Sequence, residues 1–209
     1  PDGQTLAETF ETLLVLERPD LSEVAAAVWS LGSVPAAPAA GASASEPMLR
    51  VVARPAQLGE HDWLTLLDRV AEGAVAVVGP LHKRDQVAVK ALRKRGVAID
   101  LHLGIGNWMG CYHWVREPGL LAGLPQTALP GEAYVDVLPW YVMSELGGNV
   151  LAGSFRNTQT RREPPAMLWY SDIEAVTLGR GTLLLCQYRI FDAARENPLA
   201  ATLLRNLLG

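Results

Sequence analysis

Between Thr12 and His102, short β-like runs alternate with amphipathic, helix-like segments. That alternation constrains the fold more than any other feature, because strands joined through helices lie parallel in one sheet. The runs are Thr12 to Leu16, Met48 to Ala53, Ala74 to Val78 and Val97 to His102. Ala74-Val-Ala-Val-Val78 is apolar without interruption, as a parallel strand buried on both faces requires. In the first intervening segment Asp20 supplies an N-cap with Glu23 three residues on, and Leu21, Val24, Ala25, Val28 and Leu31 form a stripe that stops at Gly32. Trp63, Leu66, Leu67 and Val70 mark one face of a second helix that ends near Gly73. Asp85 caps a third, with Val87, Ala88, Ala91 and Leu92 as its stripe. Its Lys90, Arg93, Lys94 and Arg95 gather before Gly96, where the helix macrodipole favours cations, so they read as a solvated helix end before an anion site. Residues 34–47 are almost wholly Ala, Pro, Gly and Ser, a composition that buries too little apolar surface to order itself and reads as a flexible loop.

After His102 the period breaks into a Gly- and aromatic-rich stretch from Leu103 to Gly131. Strands are expected at Tyr134 to Leu138, Asn149 to Ser154, Met167 to Tyr170, Ile173 to Leu178 and Thr182 to Tyr188, the last two turned into a hairpin by Gly179-Arg-Gly181. Asn197 as N-cap, Pro198 at the first helical position, and Leu199, Ala200, Leu203, Leu204, Leu207 and Leu208 predict a closing helix. The expected fold is α/β, a three-layer sandwich with a mostly parallel central sheet and an antiparallel C-terminal hairpin.

At 209 residues and 49% hydrophobic composition, residues 1–209 suit one domain with a substantial core. Eighteen basic residues against 22 acidic ones leave a net charge of −4, which argues against nucleic acid as a partner. No apolar run reaches the roughly 20 residues of a membrane helix, and the N-terminus lacks the order of a signal peptide. A membrane partner is therefore not expected, and the compartment stays open with the cytoplasm slightly favoured. The start at Pro1 leads to the expectation that the chain is excised from something longer. Cys111 and Cys186 are too few for a disulfide framework or a Cys-rich zinc site. Cys186, in the run Thr182 to Tyr188, reads as a small buried hydrophobe.

Ligands of open α/β sheets bind beyond the carboxyl ends of the strands. This directs attention to Glu17-Arg18, Gly79-Pro-Leu-His82 and Leu103-Gly-Ile-Gly-Asn107. Gly104-Ile-Gly106 lacks the third glycine of a dinucleotide loop. Cys111, His113 and Glu117 have the residue types of nucleophile, base and orienter, but no strand-to-helix elbow activates the thiol. His102 and His113 offer two metal ligands without a third at diagnostic spacing. Asp172 and Glu174 share a strand face at a separation shorter than a glycosidase pair needs. Trp108, Tyr112, His113 and Trp114 form the most distinctive cluster, since flat amphipathic rings stack on sugars and also anchor interfaces. The candidate ligand-binding residues are thus His82, Asn107, Trp108, Tyr112, His113 and Trp114; no catalytic residue, metal or cofactor is assigned.

Trp108-Met-Gly-Cys-Tyr-His-Trp114, Gly123-Leu-Pro125, the run Tyr134 to Pro139, and Gly179-Arg-Gly-Thr-Leu-Leu-Leu-Cys-Gln-Tyr-Arg189 before Asn197-Pro-Leu-Ala200 resemble the class I glutamine-amidotransferase-like, flavodoxin-like accessory domain of large bacterial carbohydrate-active enzymes, notably family 2 glycoside hydrolases and β-galactosidase-type proteins. The likeness runs from about Thr12 to the end. Working amidotransferases carry a Gly-x-Cys-x-Gly elbow after a central strand and a distal His and Glu. Here Gly79-Pro-Leu-His82 occupies the elbow position and no histidine follows His113. The resemblance therefore implies a non-catalytic accessory domain of a glycoside hydrolase parent, packing against neighbouring domains or a homo-oligomer mate and rimming a carbohydrate site. The alternatives are a free-standing amidotransferase-like hydrolase using Cys111, and a sugar-binding module built on the Trp108 to Trp114 loop.

Overall fold

The computed structural model describes residues 49–104, 111–125, 132–158 and 166–209. The expected strand at Thr12 to Leu16, the helix from Asp20 and the loop at 34–47 lie outside them. Three strands run parallel: β1 (Leu49–Val52), β2 (Val75–Val78) and β8 (Gly181–Cys186). Val51 registers with Val77 in the first pair, and Val77 with Leu184 in the second. Helix α1 (Glu60–Ala71) carries the chain from β1 to β2, and α2 (Gln86–Lys94) follows β2.

The remaining pairings are antiparallel, which corrects the expectation of a mostly parallel sheet. The strands β3 (Asp100–Leu103) and β5 (Tyr141–Ser144) pair with each other, as do β4 (Tyr112–Val115) and β6 (Asn149–Thr158). The 13-residue β7 (Ala166–Leu178) pairs with β5, β6 and β8. The physical reason lies in the connections: parallel neighbours need a crossover, whereas β7 and β8 are joined by a tight hairpin that returns the chain antiparallel. Helix and strand therefore alternate only until the fourth run, which starts later than expected, at Asp100, and lies against β5. The two strands expected at Met167 to Tyr170 and Ile173 to Leu178 are one continuous strand.

Alternate residues of the parallel strands enter two cores. Val52, Ala76, Val78, Leu183 and Leu185 pack with Trp63, Leu67 and Val70 of α1 and with Ala88, Ala91 and Leu92 of α2. Each of the larger side chains contributes about 1.5–3 kcal/mol on full burial. Val51, Val77, Leu184 and Cys186 face the other way, against Leu199, Ala200, Leu203 and Leu204 of the C-terminal helix and Leu120, Leu121 and Leu124 of a 3-10 turn. The fold is therefore α/β with a mixed, partly parallel sheet and helices on both faces. The short helix α3 (Ile190–Ala193) precedes the closing α4 (Pro198–Leu208), whose first N–H groups bond the Asn197 side chain at 2.9 and 3.2 Å as its capping sequence predicts.

The basic end of α2 ties it to its surroundings. Lys94 pairs with Glu60, Arg95 with Asp68 at 2.7 Å, and Arg93 donates to the Ile99 carbonyl at 2.8 Å. Gly179 is needed where the hairpin turns: its φ is +60°, and a Cβ there would lie 2.4 Å from the Ala71 carbonyl oxygen at the end of α1. Among the described residues no helix is long and apolar enough to cross a membrane.

Candidate ligand-binding cleft

The carboxyl ends of β1, β2 and β8 open together into a cleft of about 340 Å³, lined among others by Ala53, His82, Asp136, Trp140, Tyr141 and Arg189. Parallel strands place their carboxyl ends on one side, so three loops converge there, as the general rule for α/β sheets expects. Gly79 permits that convergence: a Cβ on it would lie 2.8 Å from the Ala53 carbonyl oxygen of the neighbouring loop.

Buried Gln187, at the end of β8, fixes the loop after β2. Its Oε1 accepts from the Leu81 N–H at 2.7 Å and its Nε2 donates to the Leu81 carbonyl at 3.2 Å. One side-chain amide thereby satisfies both backbone polar groups of Leu81, a residue outside the strands. Asp85 does not cap α2 with its side chain; its Oδ2 instead accepts the His82 N–H at 2.7 Å and closes the turn that presents His82. The imidazole then meets the Tyr141 ring at 5.3 Å and the Trp140 ring at 6.2 Å, both edge-on.

The opposite wall is the segment 132–140, where a strand at Tyr134 to Leu138 was expected. A 3-10 turn (Glu132–Tyr134) and further turns occupy it. Tyr134 and Val137, three apart, are buried, as is Pro139, and the Tyr134 hydroxyl donates to the Pro125 carbonyl at 2.6 Å. The carbonyls that a strand would pair with a neighbour are taken by Arg189: its backbone N–H bonds Val137, its Nε bonds Leu138 and its Nη2 bonds Val135, each at 2.8 Å. The guanidinium also stands 5.0 Å over the Trp140 ring, a cation–π contact. At the rim Arg54 and Asp192 pair at 2.9 Å, both largely exposed, an arrangement that contributes little stability.

Of the residues expected from the sequence, His82 lies in this cleft. Asn107 and Trp108 fall outside the described residues. Tyr112, His113 and Trp114 are on β4, which pairs with β6 in the antiparallel part of the sheet and does not line the cleft. Tyr112, 55% exposed, stacks on Phe155 with ring centroids 5.3 Å apart, and Phe155 leans on Trp169 at the same distance. Trp114 lies over Gly153, whose missing side chain gives the indole its place. His113 points to the other face, where its Nδ1 is 2.7 Å from Asp172 Oδ2; the Ser154 hydroxyl donates to Oδ1 of the same carboxylate at 2.8 Å. All three residues are buried.

That network separates the groups proposed for thiol catalysis. His113 is held by Asp172, and Glu117 accepts from the Gly119 N–H at the start of a 3-10 turn. Burial pushes the Cys111 thiol up, with Asp172 adding to the rise, and outweighs the influence of Arg156 and Ser154 toward the thiolate. Cys186 is fully buried and its thiol is pushed up to about 12 by desolvation, in keeping with its expected place in the core. His102 contacts the Ser144 hydroxyl at 2.9 Å, and it does not share a partner with His113. Glu174 is buried against the Gly148 N–H, so the two acids of β7 face no common cleft.

Sequence reading missed Asp136, Trp140, Tyr141 and Arg189. The signal for Arg189 was within reach: it follows β8, and β8 is the third parallel strand. Placing Gln187 and Tyr188 inside an extended strand hid the point where the loop begins.

No family model and no curated protein matches the sequence. Among solved structures, the chain is similar to part of a cold-adapted β-galactosidase from Rahnella sp. R3, with TM-score 0.43 and 11% identity over 76% of this chain and 22% of that one. It is also similar to part of a β-galactosidase from Bacillus circulans sp. alkalophilus, with TM-score 0.41 and 13% identity over 76% and 22%. An exo-β-1,4-mannosidase from Opitutaceae bacterium strain TAV5 gives TM-score 0.40 and 11% identity over 77% and 25%. The chain thus spans between about a fifth and a quarter of the length of these glycoside hydrolases.

Proposed function

We propose that this chain serves as a non-catalytic α/β domain of a carbohydrate-active enzyme, and that the cleft beyond β1, β2 and β8 contributes a glycan-binding surface to it. One observation carries the reading: the cleft combines a half-exposed indole, Trp140, with a carboxylate, Asp136, and an imidazole, His82, around about 340 Å³. A flat ring beside hydrogen-bonding groups offers stacking to the apolar face of a sugar and partners to its hydroxyls. This reading takes the cleft, which Tyr112, His113 and Trp114 do not line, as the sugar-binding surface in place of the Trp108 to Trp114 loop. The thiol reading loses support, because a raised Cys111 pKa lowers the thiolate fraction on which nucleophilic attack depends.

The test is a titration of the chain with a panel of mono- and oligosaccharides, followed by ligand-observed NMR. Binding that is lost in Trp140→Ala and retained in Trp114→Ala supports the cleft. Failure of every glycan to bind the unsubstituted chain overturns it.

A further inference from the structure

We infer that the ligand of the cleft is a single neutral sugar ring, and that Arg189 is the positioning residue that sets its recognition geometry; this rests on the glycan reading above and names the ligand class within it. Arg189 holds the wall of the cleft at three carbonyls, Val135, Val137 and Leu138. Asp136 lies between the first two, and Trp140 two residues beyond the third. The side chain that fixes the backbone on both sides of the carboxylate also packs on the indole. Its planar fork is what makes this arrangement possible: a lysine in the same place would keep a positive charge near Trp140 but would lose the paired N–H groups that reach Val135 and Leu138 together.

The charges of the lining are of both signs, and Arg189 and Asp192 are already engaged by the wall and by Arg54. A cationic ligand seeking the Trp140 ring meets a guanidinium already stacked there. An anionic ligand meets the Asp136 carboxylate, while Arg189 in the same lining has its Nε and Nη2 committed to the Leu138 and Val135 carbonyls and Asp192 is already paired with Arg54. A neutral polyhydroxyl ring needs no free counter-charge: it packs on the part of the Trp140 side chain that stays exposed beside Arg189 while its hydroxyls donate to Asp136, a charge-assisted bond. The volume of about 340 Å³ lies at the low end of the roughly 300–1,000 Å³ range of small-molecule sites, which fits one ring better than an extended chain.

The experiment titrates the 209-residue chain with the methyl glycosides of glucose, galactose and mannose, with methyl glucuronide as the anionic probe and glucosamine as the cationic one. The neutral glycosides are expected to bind in preference to both charged probes. Arg189→Lys is expected to weaken the best of them by about tenfold or more while the unfolding midpoint stays near that of the unsubstituted chain. Arg189→Ala is expected to lose binding and to regain part of it in added methylguanidinium, a rescue that a general loss of packing would not show; if that variant does not fold, Arg189→Lys carries the test. Unchanged affinity in Arg189→Lys overturns the positioning role and leaves the glycan reading standing. Preference for the glucuronide or glucosamine, or binding only of oligosaccharides, overturns the ligand class. Absence of any glycan binding overturns this inference together with the reading on which it rests.

Discussion

The parallel and antiparallel parts of the sheet use polar side chains in opposite ways. Beyond β1, β2 and β8, Gln187, Asp85 and Arg189 satisfy the peptide groups of loops and leave Asp136, His82 and Trp140 facing a cleft. Within β4, β6 and β7, Ser154, Asp172 and His113 satisfy one another in the interior. The second set contains the residue types of a catalytic triad and the first does not. The difference teaches that residue type is a weaker guide to a site than position relative to strand ends, because a buried polar group must find a partner whether or not it does chemistry.

The strongest way to break that comparison is Asp172→Ala. It removes the shared acceptor of His113 and Ser154 and leaves two buried polar groups without their partner. We expect a loss of about 3 kcal/mol or more in urea unfolding, with the proposed glycan binding at the cleft unaffected in whatever fraction stays folded. A loss below about 1 kcal/mol would show that solvent reaches the network, contrary to its burial.

On the cleft side, Gln187→Leu strands both polar groups of Leu81 and is expected to cost about 2 kcal/mol. Here stability and binding should fall together, since the same loop presents His82. A variant that lost stability but kept full affinity would separate the loop from the site and weaken the comparison.

The smallest effect is a pH dependence at β8, the strand the two parts share. The Cys186 thiol is raised from 9.0 to about 12 by burial, so the folded state holds a proton that the unfolded state releases. Stability is therefore fully present below about pH 9 and declines as pH rises from there toward 12. Tyr188, whose hydroxyl is also raised by burial, adds to the decline in the same direction. Cys186→Ala should flatten the fall measured by thermal unfolding from pH 8.5 to pH 10.5, values chosen to span about the free-thiol range. An unchanged slope would assign the dependence to Tyr188 and other groups.

Much of the parallel part was legible because its signals are local. The stripe Trp63, Leu66, Leu67 and Val70 announces α1, and all four are buried. The run Ala74 to Val78 yields β2, and His82 follows from its place after that strand. The segment Tyr134 to Leu138 looked like a strand for an equally local reason, its apolar content, yet became turns because Arg189 offered its carbonyls partners that no strand was needed to supply. Asp85 shows the same effect on a small scale: the cap residue is where the sequence puts it, while its carboxylate serves the His82 peptide.

By itself the sequence determined the helices that became α1, α2 and α4, with the stripes they bury, and the run that forms β2. These depend on periodicity and capping within a few turns of chain, interactions that neighbours in sequence complete. Only the tertiary structure decided that β3 pairs antiparallel to β5, that Asp172 faces His113 across 59 positions, and that Trp140 and Asp136 meet His82 in one cleft. Those outcomes depend on which distant group satisfies a given carbonyl, amide or carboxylate first, and a linear pattern carries no distance between residues so far apart.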